Sequence, residues 1–344
     1  MPHQPATHQP ASPRSRGYHM PAEYAPHKRS WMMWPCRAEV WPDIAATKRD
    51  YALVAQAIAG FEPLCMAVRP EDAAEARAML GAAIEVFEVP LHDSWARDAG
   101  PNFVLDAQGN KAASLFTFSA WGHKYAPFDK DAAFGAAVAA REGMPVFRSA
   151  LLAEGGGVTV DGQGTIITTD TCFLNPNRNP SWTREEVTRE LLETLGGEKV
   201  IWLPGNADET ETDGHVDGIA VFVAPGVVLI EGADDPSDPW RHIKQANIDA
   251  LRGQTDARGR EIRMVTIPEA EESCIIGEKF CRSYVNCYFV NGGVIMPEYG
   301  TPNDAVARAI FQDLFPGHRI CGVPIPNICL GGGGIHCITQ QEPA

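Results

Sequence analysis

Cys337 stands at the end of Gly331-Gly332-Gly333-Gly334-Ile335-His336 and is followed by Ile338-Thr339-Gln340-Gln341. Four consecutive glycines have no side chains to pack, and they let other groups approach the backbone closely. A cysteine delivered by such a loop, with no strand or helix expected after it, reads as a presented nucleophile rather than an inert core thiol. Other polar stations lie upstream, at the edges of apolar runs. They are Trp95-Ala96-Arg97-Asp98-Ala99-Gly100-Pro101, Glu154-Gly155-Gly156-Gly157, Gly214-His215-Val216-Asp217-Gly218 and Asn291-Gly292-Gly293. Gathered at one point, a thiol, an imidazole and several carboxylates are the ingredients of a thiol-based hydrolase.

A guanidinium suits that set. It is a planar cation with donors in a fixed fork, which carboxylates match with paired, charge-assisted hydrogen bonds. Asp98 and Asp217 are the natural clamps, each close to a glycine. Cys337 as thiolate attacks the central carbon, and His215 protonates the departing ammonia and then takes a proton from water. Glu154 holds the imidazole and favours its charged form. No metal or other cofactor is required. Each residue also has a plainer reading: Asp98 as the surface partner of Arg97, Glu154 as turn chemistry, His215 as a satisfied core histidine. Their co-occurrence carries the chemical reading. His336 is set aside as the base, because adjacent side chains on an extended segment point to opposite faces.

Positioning these residues requires a fold whose successive units all face inward, and a recurring unit is legible. Asp43 caps a helix through Ile58, stopped by Gly60. Residues 63–68 read as a buried strand, Glu71 to Ala83 as a helix and Ile84 to Val89 as a strand leading to Asp98. Phe103 to Leu105 and Ala113 to Phe118 form a hairpin, followed by a helix from Lys130 to Glu142. Val158 to Val160 and Thr165 to Thr168 form the next hairpin, directly after Glu154. The two Asn-Pro steps in Asn175-Pro176-Asn177-Arg178-Asn179-Pro180 demand turns. Thr183 to Glu186 is a capping box for a helix through Leu195, and Val200 to Leu203 is a strand. After His215 come a hairpin (219–223 and 227–230), a helix (238–251) and a strand (262–267). From Asn286 come a hairpin (286–290 and 293–296), a helix (303–315) and a strand (319–323). Repetition of hairpin, helix and strand points to radial repetition around a centre rather than a doubly wound sheet.

Composition narrows the partners. The formal net charge of −15 argues against nucleic acid, which needs a basic footprint, and suits a cationic small substrate. Nine cysteines is an odd number, with no CxxC pair and no zinc spacing, so they read as reduced thiols of a cytoplasmic protein. No apolar run is long enough for a membrane span. Residues 1–19 are rich in Pro, His, Ser and Gln and read as a disordered leader; Met20 reads as a natural start, and residues 20–344 as one domain.

The chain resembles the agmatine deiminases, within the wider peptidylarginine-deiminase-like, guanidino-modifying pentein group. The resemblance runs from Met20 to Pro343. It is carried by Met20-Pro21-Ala22-Glu23 with Trp34-Pro35, Trp95 to Pro101, Ala120-Trp121-Gly122 with Lys124-Tyr125, Glu154-Gly155-Gly156, Leu174 to Pro180, Glu211 to Asp217, and Ile335 to Gln341. It implies an α/β fold, a five-bladed propeller with pseudo-fivefold symmetry and the site on its axis. The implied reaction is hydrolysis of agmatine to N-carbamoylputrescine and ammonia, on a route to polyamines. Cys337 would be the amidino-cysteine nucleophile, His215 the acid and base and Glu154 its partner, with Asp98 and Asp217 gripping the guanidinium. Trp95, Gly333 and Gly334 would line the substrate channel, and Glu211 would meet the far ammonium, favouring agmatine over arginine. The group's members are often dimeric or larger. Gly334 and His123 depart from the group's usual Asn and Gly, with consequences expected for loop stiffness and the entrance.

Three other readings compete: a deiminase of another guanidine such as peptidyl arginine, a non-catalytic propeller that binds a partner, and a metal hydrolase built on His215 and Asp217. Retention of both Cys337 and His215 counts against the second.

Overall fold

The computed structural model describes residues 11–271 and 279–344. The described residues form five small sheets. The first holds β1 (His27–Met33), β2 (Leu64–Val68) and β3 (Glu85–Glu88), all parallel. The second comprises β4 (Asn102–Leu105), β5 (Lys111–Thr117) and β6 (Val146–Leu152). The third comprises β7 (Thr159–Val160), β8 (Thr165–Thr169) and β9 (Lys199–Leu203). The fourth comprises β10 (Ala220–Ala224), β11 (Val227–Glu231) and β12 (Arg263–Ile267), and the fifth β13 (Tyr288–Val290), β14 (Gly293–Glu298) and β15 (Arg319–Pro324). In the second to fifth sheets the first two strands pair antiparallel and the third adds in parallel. A helix makes each crossover to the parallel strand: Phe134–Arg141, Arg184–Leu195, Arg241–Leu251 and Asn303–Leu314.

The last strand, β16 (Thr339–Pro343), joins the first sheet antiparallel to β1. The first sheet thereby repeats the unit, with β16 and β1 as its hairpin equivalent, Ile44–Ala59 as its crossover helix and β2 as its parallel strand. Its antiparallel pair comes from the two ends of the chain, and Trp31, fully buried, donates to Glu342 across that seam at 3.2 Å. The expectation that no strand follows Cys337 is therefore corrected. Gln340, Gln341 and Glu342 are polar and were not readable as a strand, yet β16 is buried throughout.

Local chemistry explains most of the elements. The Asp43 side chain accepts from the Ala46 amide at 2.9 Å, and Thr183 and Glu186 form the reciprocal capping box. Asp161 holds its hairpin turn by accepting from the amides of Gln163 and Thr165 at 2.7 and 2.8 Å. The expected helix over 71–83 is shorter, Ala73–Leu80, ended at Gly81 with φ +79°. The one expected over 130–142 is split at Ala133 into Asp129–Ala132 and Phe134–Arg141. Strand β6 carried no periodic signal: exposure alternates along it, but Val146 and Ala150 occupy exposed positions and Ser149 a buried one.

The expected disorder over residues 1–19 is corrected for 11–19; residues 1–10 lie outside the described part. Arg14–Arg16 form a 3-10 turn, and His19 exchanges two backbone hydrogen bonds with Leu105. Tyr18 packs edge-on to Phe147, an anchor that the polar composition concealed. Cys36, Cys65, Cys172, Cys281, Cys287, Cys321 and Cys337 are free thiols, and Cys274 lies outside the described residues. No helix among the described residues is long and apolar enough to cross a membrane.

Candidate active site

Each of the five units ends one short turn before its antiparallel pair, and those turns meet. They are Ala96–Ala99 before β4, Gly155–Gly157 before β7, Val216–Gly218 before β10, the segment at Asn286 before β13, and residues 335–338 before β16. Hydrogen bonds run from each turn to the next in a closed circuit. The Arg97 amide donates to Cys337 O at 3.1 Å, and the Gly156 amide to Asp98 Oδ1 at 2.9 Å. His215 Nε2 meets Glu154 Oε2 at 3.2 Å, Asn286 Nδ2 donates to Asp217 O at 3.3 Å, and the His336 amide donates to Asn286 O at 3.2 Å. Cys337, His215, Glu154, Asp98 and Asp217, singled out from sequence, are thus brought together, all buried.

His215 is oriented from behind. Glu154 takes its Nε2, and Arg178 fixes Glu154 through Nε at 2.9 and 3.2 Å from the two carboxylate oxygens. The Asn-Pro turns deliver Arg178, whose other nitrogens reach Asp213, Asn177 and the Thr212 carbonyl. Burial would raise Glu154, but Arg178 and His215 outweigh it and hold the carboxyl below its ordinary range. Burial would likewise favour neutral His215. Asp98, with help from Cys172 and Glu154, overrides this, and the imidazole is held well above its usual value. His215 Nδ1 has no hydrogen-bond partner and lies 3.8 Å from Asp98 Oδ1, so the free nitrogen faces the space between the carboxylates.

Asp98 accepts from Trp121 Nε1 at 2.9 Å; burial raises its carboxyl despite His215. Asp217 is held low, because His336, at 2.8 Å from its Oδ2, more than offsets burial. The Cys337 thiol is pushed well above the usual range by burial, then by the charges of Asp217 and Asp98. Its Sγ lies 3.5 Å from Asp217 Oδ2 and 3.2 Å from Asn286 Nδ2, and the Gly334 amide is a backbone donor that favours the thiolate. Gly334, expected to bind substrate, abuts Asn286, where an added Cβ would lie 2.6 Å from Oδ1. Gly333 does line the cavity, and any side chain there would overlap the Trp95 ring.

The cavity leading to Cys337 is lined by Trp95, Asp98, Trp121, Tyr125, Glu211 and Gly333. A wider polar limb containing His215, Asp217 and Asn286 joins it at Cys337. Glu211 sits at the far end, where it accepts from Tyr125 OH and from Lys279 Nζ, the latter at 2.9 Å. Lys279 also lies 4.9 Å from the centre of the Tyr125 ring. His123, expected to narrow the entrance, packs against Phe128 and lines neither limb.

Two expectations about the site change. The fourth station is Asn286, not Asn291, whose amide exchanges hydrogen bonds with the His27 backbone. And residues 335–338 are a turn, not an extended segment, so His336 and Cys337 both reach Asp217. Sequence reasoning also passed over the roles of Trp121, Arg178, Tyr125 and Lys279. The rule of one polar group before each hairpin was the signal that could have found Asn286.

Among the described residues, one group has metal-ligand composition: Glu154, Cys172 and His215, with ligand atoms within 4.8 Å of one another. Glu154 there is already engaged by Arg178 and His215. The His215–Asp217 pair is not such a group, and Asp217 is paired with His336 instead.

Asp98 and Asp217 both border Gly156, with Cys337 Sγ 3.5 Å from Asp217 Oδ2 and His215 Nδ1 3.8 Å from Asp98 Oδ1. Residues 19–343 match the family of Porphyromonas-type peptidyl-arginine deiminases. The agmatine deiminase of Stutzerimonas stutzeri is 41% identical, over 97% of this chain and 98% of that protein, and the one of Ectopseudomonas mendocina is 40% identical over 97% of each. Among solved structures, the agmatine deiminase of Enterococcus faecalis superposes with a TM-score of 0.94 at 34% identity, covering 97% of this chain and 98% of that one.

Proposed function

The chain belongs to the Porphyromonas-type peptidyl-arginine deiminase family, and we propose that it hydrolyses agmatine to N-carbamoylputrescine and ammonia through a covalent intermediate on Cys337. The observation that carries this reading is the convergence of Cys337, His215, Asp98 and Asp217 on one buried point at the end of an aromatic-lined cavity. The five repeated sheets and the closed circuit of turns support a five-bladed propeller over residues 20–344, with the site on its axis.

The guanidinium of agmatine lies between Asp98 and Asp217. Its charge offsets the two carboxylates that hold the thiol protonated, and the Cys337 proton is released to solvent. The thiolate attacks the guanidinium carbon. One nitrogen takes a proton from His215 Nδ1 and leaves as ammonia, giving a thiouronium that keeps the alkylamine chain. Neutral His215 then takes a proton from water as its oxygen adds to the same carbon. Collapse breaks the carbon–sulfur bond, the hydroxyl proton passes to the departing sulfur to restore the thiol, and the ureido product is left. The resting thiol should therefore be sluggish: alkylation of Cys337 by iodoacetamide is expected to rise with pH through and beyond the ordinary thiol range, as peptide mapping would read. Levelling below neutrality would contradict that assignment.

Trp95, Trp121 and Tyr125 suit the methylene chain, and Glu211 the distal ammonium. Glu211 already holds Lys279, so the substrate's ammonium must displace a resident cation. A partly buried ion pair with a cation–π contact sets that competition at about tenfold. Lys279→Met should lower KM for agmatine by roughly that factor with kcat unchanged. An unchanged or raised KM would remove Glu211 from ammonium recognition. The same acid disfavours arginine and blocked arginine, which a side-by-side comparison with agmatine tests. The product places the enzyme on a route to putrescine, and the free thiols suit the cytoplasm.

A further inference from the structure

The role assigned to Glu154 leaves a second buried histidine unused. His336 lies between two carboxylates: its Nδ1 is 2.8 Å from Asp217 Oδ2 and its Nε2 is 2.8 Å from Glu23 Oε2. Carboxylates only accept, so an imidazole bonded to one at each nitrogen must carry both protons. The triplet is buried, with Glu23 3%, His336 2% and Asp217 5% exposed. We propose that Glu23 and His336 are positioning residues for the nucleophile: they hold Asp217 and keep a positive charge beside the sulfur, so that the chain's N-terminal segment belongs to the reactive centre. The proposal rests on the Cys337 mechanism above.

Asp217 Oδ2, the oxygen fixed by His336, is the one 3.5 Å from Cys337 Sγ. Without the imidazolium, that oxygen would face the sulfur as an unbalanced anion free to rotate, and the thiolate would be harder to form. Glu23 supplies the counter-charge from the opposite side. Arg97 flanks both groups: its Nη1 lies 3.7 Å from Glu23 Oε1, and its Nε donates to the His336 carbonyl at 3.5 Å. His27 also faces Glu23. Burial would raise Glu23, but His336 and Arg97 bring it down to about 2, and burial and Arg97 are outweighed at His336, which is raised. The segment bearing Glu23 is pinned by the Met20 amide on Leu195 O at 2.8 Å and by the packing of Ala22 over Gly162. This gives a physical reason for the Met20-Pro21-Ala22-Glu23 motif, which the mechanism otherwise leaves idle.

The test compares Glu23→Gln and His336→Gln with wild type, reading kcat for agmatine and Cys337 alkylation against pH. In Glu23→Gln the amide can still accept from Nε2 but no longer stabilises its proton. His336 then loses its second proton at lower pH than in wild type, because burial and Arg97 are no longer opposed by the Glu23 charge. The kcat ratio to wild type should fall about tenfold as pH rises from about 6 to about 9, with circular dichroism and KM little changed. His336→Gln should lose about tenfold or more at every pH, with no new ionisation. Alkylation in both variants should need higher pH than in wild type, a readout that stands whether or not agmatine is the substrate. A wild-type pH profile for Glu23→Gln, or the same loss at every pH with unshifted alkylation, would overturn the proposal.

Discussion

Cys337→Ser is expected to fold as wild type and to lose agmatine turnover by about 10⁴-fold or more. Serine keeps the shape of the side chain. Its hydroxyl, however, must ionise beside Asp217 and Asp98, where even the more acidic thiol is pushed well up. The guanidinium offsets enough charge for a thiol to ionise and far too little for an alcohol. A residual rate within about tenfold of wild type would move the nucleophile elsewhere. The variant should still bind agmatine, because Asp98, Asp217, Trp95 and Glu211 are untouched, and binding by calorimetry separates lost chemistry from lost structure.

Gly156→Ala is the second large effect. A Cβ at position 156 would lie 2.6 Å from His215 Nδ1, 2.8 Å from Asp217 Oδ2 and 2.9 Å from Asp98 Oδ1. In the proposed mechanism those three atoms bound the space that holds the guanidinium and where its leaving nitrogen meets the imidazole. None is the loose end of a flexible chain: Glu154 holds His215, His336 holds Asp217, and Trp121 holds Asp98. One methyl group therefore fills the slot and pushes the acid out of line. We expect kcat/KM to fall by about 10²-fold or more, since misplacement of about 1 Å at a reacting centre costs that much, with a cooperative melt retained. Near-wild-type kcat/KM would put the guanidinium somewhere other than beside Gly156.

The contrast between these residues shows what a sequence exposes. The hairpin–helix–strand unit was readable because each turn carries its own chemistry: Asp161 closing one hairpin, Thr183 capping one helix. Cys337, His215, Glu154, Asp98 and Asp217 stood out because glycines accompany most of them and their types suit one reaction. Strand β16 was missed because its residues are polar and it is buried by pairing with β1, a partner at the other end of the chain. Asn286 was missed because no glycine stands beside it, whereas Asn291 precedes two; its Nδ2 donates to Cys337 Sγ. His336 was set aside on a local rule for extended chain, and a turn reversed that rule. Lys279 could not be foreseen, since its pairing with Glu211 joins residues distant in sequence.

The most direct measurement is the product balance from agmatine with the purified protein, ammonia and organic product being quantified together beside Cys337→Ser. The account predicts one ammonia for each N-carbamoylputrescine, and neither from the variant. Putrescine with urea would mean that the other carbon–nitrogen bond breaks, and unchanged agmatine in the presence of well-folded protein would contradict the assignment outright.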